Sequence, residues 1–506
     1  MKTPGKWISI LILLSIAVFS TACSAPKTKT PVVDLPVEAT SEPVSLSSPE
    51  TTSAPAASQL PEFKGKALAF DSDNLFAAAG VCTGCHTSMM DEAGQDVSID
   101  RMWRASMMAN AARDPYWLAA VRSEVLDAPS LQADIEDKCA TCHMPMAATS
   151  LHAGGNKAAV LDEGLLANKS QGHALAMDGV SCNLCHQIDA QNFGQQDGFS
   201  GGYLIDFEKP KGERISYGPF EIDQNLTSSM QGGSGFIPTK SEHLAQSEMC
   251  ATCHTLYTPY LDAEGKVAGE FPEQTPYKEW VNSKYKDNTS CQSCHMPKAT
   301  GGVQLAILPG PKRSPFSQHD FAGGNMYILR MLRTFGDGLG VTASSTNYDD
   351  AILAAEGILQ SGAAELKLND LRIDNGKLIG QIQIQNLAGH KLPTAYPSRR
   401  TWLHVTVQDA VGKVIFESGA FHPDGSVVGN DNYVDPAKFE QHYTLLDSPE
   451  QVQIYEAIMV NTEGQVTTRL LRGAEYIKDN RLLPAGFEKP SAEADVAVYG
   501  DALKDS

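Results

Sequence analysis

Ten of the eleven cysteines of this 506-residue chain stand in five copies of one pattern, Cys-x-x-Cys-His. The copies are Cys82-Thr83-Gly84-Cys85-His86, Cys139-Ala140-Thr141-Cys142-His143, Cys182-Asn183-Leu184-Cys185-His186, Cys250-Ala251-Thr252-Cys253-His254 and Cys291-Gln292-Ser293-Cys294-His295. Two thiols at this spacing reach the two vinyl groups of one porphyrin and form thioethers, while the adjoining histidine turns beneath the ring and gives its imidazole to iron. The pattern therefore predicts five covalently bound c-type haems, with His86, His143, His186, His254 and His295 as iron ligands. Zinc sites also use paired cysteines, but they draw their other ligands from a second pair or from spaced histidines. A disulfide framework does not ask for a histidine after every pair, and a thioredoxin-like redox pair is not expected five times.

A chain built around five porphyrins needs less regular patterning, because the cofactor faces supply much of the apolar core. Residues 61–326 fit that description as a pentahaem domain. Helices are expected at Met102–Leu126, Gln132–Cys139, Glu242–Cys250 and Glu273–Tyr285, with glycine-rich stretches between them. All five motifs fall between residues 82 and 295, so the haems must pack closely. An iron that only carries electrons needs a sixth ligand. His152, His173, His243 and His319 are the nearby candidates, and His173 and His243 stand just ahead of the third and fourth motifs. Met89, Met90, Met107 and Met108 are the rival ligands near the first motif, although methionine more often fills gaps against flat rings.

The N-terminus reads as an export signal. Lys2 and Lys6 precede an apolar run, Trp7–Phe19, that is too short to span a membrane. Ser20-Thr21-Ala22-Cys23 follows and resembles a bacterial lipoprotein signal, which would leave Cys23 as a lipidated first residue and a membrane anchor. Residues 24–60 are rich in Pro, Ser, Thr and Ala, have no periodicity, and suit a disordered tether. Ser24 is not the aspartate of the inner-membrane retention pattern, so the resemblance implies attachment to the outer membrane, facing periplasm or cell surface. A formal charge of -20 argues against nucleic acid and fits redox partner proteins that dock through a basic patch.

Beyond residue 326 the pattern changes. Residues 327–362 read as a helical connector, with helices at Asn325–Gly336 and Tyr348–Gln360. From residue 363 to 490, alternating apolar positions predict strands at Glu365–Asn386, broken at Asp374-Asn375-Gly376, then at Trp402–Gln408, Lys413–Glu417, Gln451–Val460 and Thr467–Leu471. A small antiparallel β-sandwich is expected there, followed by a tail at 491–506. The fold class is thus an α plus irregular multihaem domain followed by a small antiparallel β-sandwich. Five irons against four nearby histidines leave one ligand to be drawn from this region. His404 lies in a strand pattern, and His422 and His442 lie in polar surroundings. His390, in a loop with Gly389 before it and Pro393 after it, is the expected fifth distal ligand.

The motifs, with Met102-Trp103-Arg104-Ala105-Ser106, Asp114-Pro115-Tyr116-Trp117, His319-Asp320-Phe321-Ala322-Gly323-Gly324-Asn325 and Gly389-His390-Lys391-Leu392-Pro393-Thr394, resemble the multihaem cytochromes c, in particular relatives of the tetrahaem cytochrome c and hydroxylamine oxidoreductase group. The resemblance implies mainly bis-histidine haems, closely stacked porphyrins and electron transfer in a respiratory or extracellular chain, with no catalytic residue. No position matches the tyrosine crosslink or the lysine-ligated haem of the enzymes in that group. Two other functions fit the same motifs. One is a haem enzyme acting on a small nitrogen or sulfur compound at one open haem, and the other is a subunit of a conductive filament.

Overall fold

The computed structural model describes residues 60–505 and the backbone of Leu11–Ile16. Cys23 and the expected tether lie outside the described residues.

Short helices carry the motifs. Ala79–Thr83 enters the first, Gln132–His143 carries the whole of the second, Cys182–Cys185 the third, Ser247–His254 the fourth and Cys291–His295 the fifth. The helix expected at Met102–Leu126 is two. Ile99–Trp103 stops, a run of turns follows, and Pro115–Asp127 starts afresh with Pro115 in its first turn and the Asp114 carboxylate accepting from Tyr116 N and Trp117 N. Proline at the first helical position needs no N–H there, and aspartate before it satisfies two orphan donors, so Asp-Pro marks a start inside what periodicity reads as one helix. Glu273–Tyr285 likewise shortens to Pro276–Val281, since Glu273 and Gln274 belong to the strand Val267–Gln274.

The largest apolar cluster lies between the second and third motifs. It joins Phe76, Trp117, Val121, Ile135, Met144, Met146, Leu165, Leu175 and Leu184. Loop 158–166 is tied to it through Glu136, whose buried carboxylate accepts from Val160 N and Leu161 N. Helices Met326–Leu339 and Ser345–Gly357 form a second cluster around Leu332 and Tyr348. A Ser344/Asn347 capping box starts the latter. The segment at Phe63 straps across both, with Ser345 N donating to Phe63 O and Lys66 N to Thr342 O.

Some strands stand where an irregular chain was expected. Arg214–Gly218 pairs in parallel with Phe236–Lys240, and Leu256–Leu261 forms a hairpin with Val267–Gln274. In the C-terminal region pairing is split among separate sheets. Ala364–Asp374 and Lys377–Asn386 make a hairpin on their own, turned at Asn375-Gly376 with both residues at positive φ, as a tight two-residue hairpin turn requires. Thr401–Gln408 pairs with Val414–Ser418 on one side and with Leu11–Ile16 and Ile454–Tyr455. Ala457–Val460 lies between Val466–Thr467 and Glu475–Asp479. This last sheet packs on the motif-bearing part: Phe271 shares a cluster with Ala457, Met459 and Tyr476. Leu470 N and Leu471 N donate to the Glu124 carboxylate. Among the described residues no helix is long and apolar enough to cross a membrane.

Candidate haem-attachment sites

The five motifs, spread along the sequence, meet inside one body. The Cys82 thiol lies against that of Cys182, Cys142 against Cys253, and Cys250 against Cys291. Cys185 is close enough to Cys250 and Cys253 to act on both electrostatically. The first motif thus adjoins the third, the third adjoins the fourth, and the fourth adjoins both the second and the fifth. Cys85 and Cys294, in the first and fifth motifs, are the exposed motif cysteines, and the remaining eight are half-buried.

Four motif histidines are oriented alike. Nδ1 of His86 faces Leu305 O at 2.7 Å, that of His143 faces Ala111 O at 3.1 Å, that of His186 faces Tyr217 O at 2.5 Å, and that of His295 faces Ala322 O at 2.7 Å. A carbonyl oxygen only accepts, so each Nδ1 carries the proton and each Nε2 keeps its lone pair. That is the tautomer a metal-ligating histidine needs, with the second nitrogen anchored to fix the ring. Burial pushes His143 and His254 down to about 4, away from the charged form. The His143 ring also lies flat on Trp117, with centroids 4.4 Å apart and planes 4° apart.

The non-motif histidines differ among themselves. His390 donates Nδ1–H to Lys391 O at 2.9 Å, and its ring centre stands 6.3 Å from that of His295 with the planes 10° apart. A metal ion held between two imidazoles, about 2 Å from each nitrogen, sets the ring centres about 6 Å apart. His319 is enclosed between Phe316 and Phe321, close to His186 and His86, and burial lowers it to about 3. Its buried Nδ1 has no well-formed hydrogen bond. His173 spends Nδ1 on Leu165 O at 2.8 Å and keeps Nε2. His243 and His152 are different. His243 donates Nε2–H to Ile188 O at 2.9 Å and has Ser241 Oγ 2.6 Å from Nδ1, which occupies both nitrogens. His152 has Nε2 on the Asp137 carboxylate at 2.7 Å. At His243 both ring nitrogens are thus hydrogen-bonded to protein, whereas at His152 the bond is to Nε2 alone. Met89 is buried in a cluster with Val97, Val303 and Phe316.

The donor set fits haem: paired thiols at open or half-open positions, histidines holding a free Nε2, and one opposed imidazole pair at ligation spacing. The sequence did not reveal the ionic clamp behind His390. Glu279, wholly buried, accepts from Lys391 N at 3.0 Å and Thr394 Oγ1 at 2.5 Å, and lies 3.0 Å from Arg481 Nη1. Lys391 Nζ and Arg481 both reach Asp479 at 2.7 Å. These partners are far apart in the chain, so no local pattern announces them.

No family model matches the chain, and no curated protein matches it. Among solved structures it is similar to a penta-heme cytochrome c552 from Thermochromatium tepidum, at 18% identity over 81% of this chain and 84% of that one, with a TM-score of 0.45. That likeness is too loose to bear on function.

Proposed function

We propose that the chain is a pentahaem c-type cytochrome that passes electrons along closely packed haems to and from redox partner proteins. The observation that carries this is the convergence of all five Cys-x-x-Cys-His motifs, thiol beside thiol, in one body. When bound, each haem supplies a one-electron iron couple. The chain's residues do the rest. Cys82 and Cys85, Cys139 and Cys142, Cys182 and Cys185, Cys250 and Cys253, and Cys291 and Cys294 tether one group each. The adjoining histidines ligate iron, with Nδ1 pinned to a backbone carbonyl in four of the five. His390 completes the pair with His295, and His173 and His319 are the further distal ligands. The exposed positions of Cys85 and Cys294 make the first and fifth motifs the points of contact with donor and acceptor.

A second reading is supported by the count of free imidazoles. With both nitrogens of His243 engaged, four of the five candidate histidines near the motifs keep a nitrogen for five irons. An iron without a second imidazole suits a haem enzyme acting on a small nitrogen or sulfur compound. Intact mass after maturation in a host able to attach haem tests the main proposal: five haem increments are expected, and four or fewer reject it. Electron paramagnetic resonance of the oxidised protein then separates the two readings. A high-spin ferric signal that shifts with nitrite or cyanide favours the enzyme, whereas wholly low-spin signals favour the carrier.

A further inference from the structure

Four charged side chains lie buried together behind His390. Glu279 and Lys391 are wholly enclosed, and Asp479 and Arg481 nearly so. Asp479 pairs with both cations at 2.7 Å, and Glu279 with Arg481 at 3.0 Å. Two anions and two cations balance, but well-packed apolar residues of the same volume would be at least as stable as such a cluster. What the cluster holds in place is therefore more informative than the stability it adds.

The group on the second nitrogen of a ligating histidine orients its ring. For His390 that group is Lys391 O, so whatever fixes the Lys391 backbone fixes the imidazole. Glu279 Oε2 accepts from Lys391 N at 3.0 Å and from Thr394 Oγ1 at 2.5 Å, gripping the loop at two points. Glu279 lies on the helix Pro276–Val281. Its neighbour Trp280 donates Nε1–H to Thr289 O at 2.8 Å, two residues ahead of Cys291. The loop rests directly on this helix, since a Cβ at Gly389 would stand 3.1 Å from the Trp280 ring. One helix thus holds the loop of His390 through one side chain and the approach to the fifth motif through the next. It ties together the two imidazoles that face each other, His295 and His390.

We propose that Glu279 is a positioning residue that keeps His390 opposite His295 on the iron of the fifth motif, and that its buried charge lowers the reduction potential there. The proposal rests on the reading of His390 as distal ligand to that iron. A fixed anion in a water-excluded site acts on a nearby charge with little screening, and it favours the more positive, oxidised state of an iron centre.

Electron paramagnetic resonance and protein-film voltammetry of matured full-length variants test it, with intact mass run on each sample. Glu279→Ala is expected to retain five haems and to turn one more haem than wild type to a high-spin or water-ligated form, which added imidazole returns to low spin. Glu279→Gln keeps a side-chain oxygen for Lys391 N. It is expected to show the wild-type spin states with one midpoint potential moved to a higher value, and this arm decides the matter if the alanine variant does not fold. An alanine variant with the wild-type spectrum would overturn the proposal, as would a glutamine variant with five unchanged potentials or with the spin change of the alanine variant. Changes spread over several haems in Glu279→Ala would also overturn it, since a loosened fold would explain them. His390→Ala, measured alongside, tests the underlying reading. A wild-type spectrum there defeats the ligand assignment itself, whereas one converted haem there and none in Glu279→Ala defeats the role of Glu279 alone.

Discussion

His390 shows how much one residue's surroundings decide. Three other C-terminal histidines are committed or peripheral: His404 to Glu417, His442 to Asp505, and His422 in the turn His422–Gly425. Only His390 combines an anchored Nδ1 with an opposed motif imidazole. The expected result of His390→Ala is an unchanged haem mass with one haem of five turned to a high-spin or water-ligated form, read by electron paramagnetic resonance. A wholly low-spin spectrum would remove His390 from the ligand set. Glu273 gives a second test at this scale. Burial raises its carboxyl to about 7 despite the hydrogen bond from Thr258 at 2.6 Å. From about pH 4.5 to 7 the unfolded chain has lost this proton while the folded chain keeps it. The folded state binds more protons there, so stability falls as pH rises through that window, by up to about 3 kcal/mol. Glu273→Gln cannot ionise, and the drop in denaturant midpoint between pH 4.5 and 7 should become correspondingly smaller.

At the scale of elements, what the sequence disclosed was whatever local chemistry dictates. Asn375-Gly376 marked the hairpin turn, alternation marked its strands, and the run from Gln132 marked the helix into the second motif. Elements set by distant partners stayed hidden. Arg214–Gly218 becomes a strand because Phe236–Lys240 lies beside it in parallel, and nothing within five residues signals that. The loop bearing His390 was legible from its glycine and proline, but its support was not, because Glu279, Asp479 and Arg481 come from separate parts of the chain. That support predicts a large effect. Glu279→Ala leaves the buried Lys391 N–H without its acceptor and Arg481 with one carboxylate in place of two. Removing one partner of such a cluster costs about 3–5 kcal/mol, and the denaturant midpoint should fall accordingly. A surface pair such as Lys504 with Asp501 supplies the contrast, and breaking it should leave the midpoint nearly unchanged.

The whole molecule raises the question of where its N-terminus ends up. An apolar stretch beside an unpaired strand edge will pair with it, and Leu11–Ile16 lies antiparallel to Thr401–Gln408 in this way. The same residues fall in the apolar run expected from sequence to be an export signal, and the two roles would exclude each other once such a signal is cleaved. If maturation leaves Cys23 as the first residue, the strand is lost from the sheet. The outer edge of His404–Gln408 is then freed, while Ile454–Tyr455 still covers Thr401-Trp402. A lipidated Cys23 would join the body to the membrane through residues 24–60. The mass of the mature protein should therefore correspond to a chain beginning at Cys23 plus acyl groups and five haems. Cys23→Ser should move the protein from the membrane fraction to the soluble fraction with its haem content intact. Retention of the variant in the membrane at the wild-type level would reject the anchor, and a mature mass that includes residues 11–16 would keep that strand as part of the working fold.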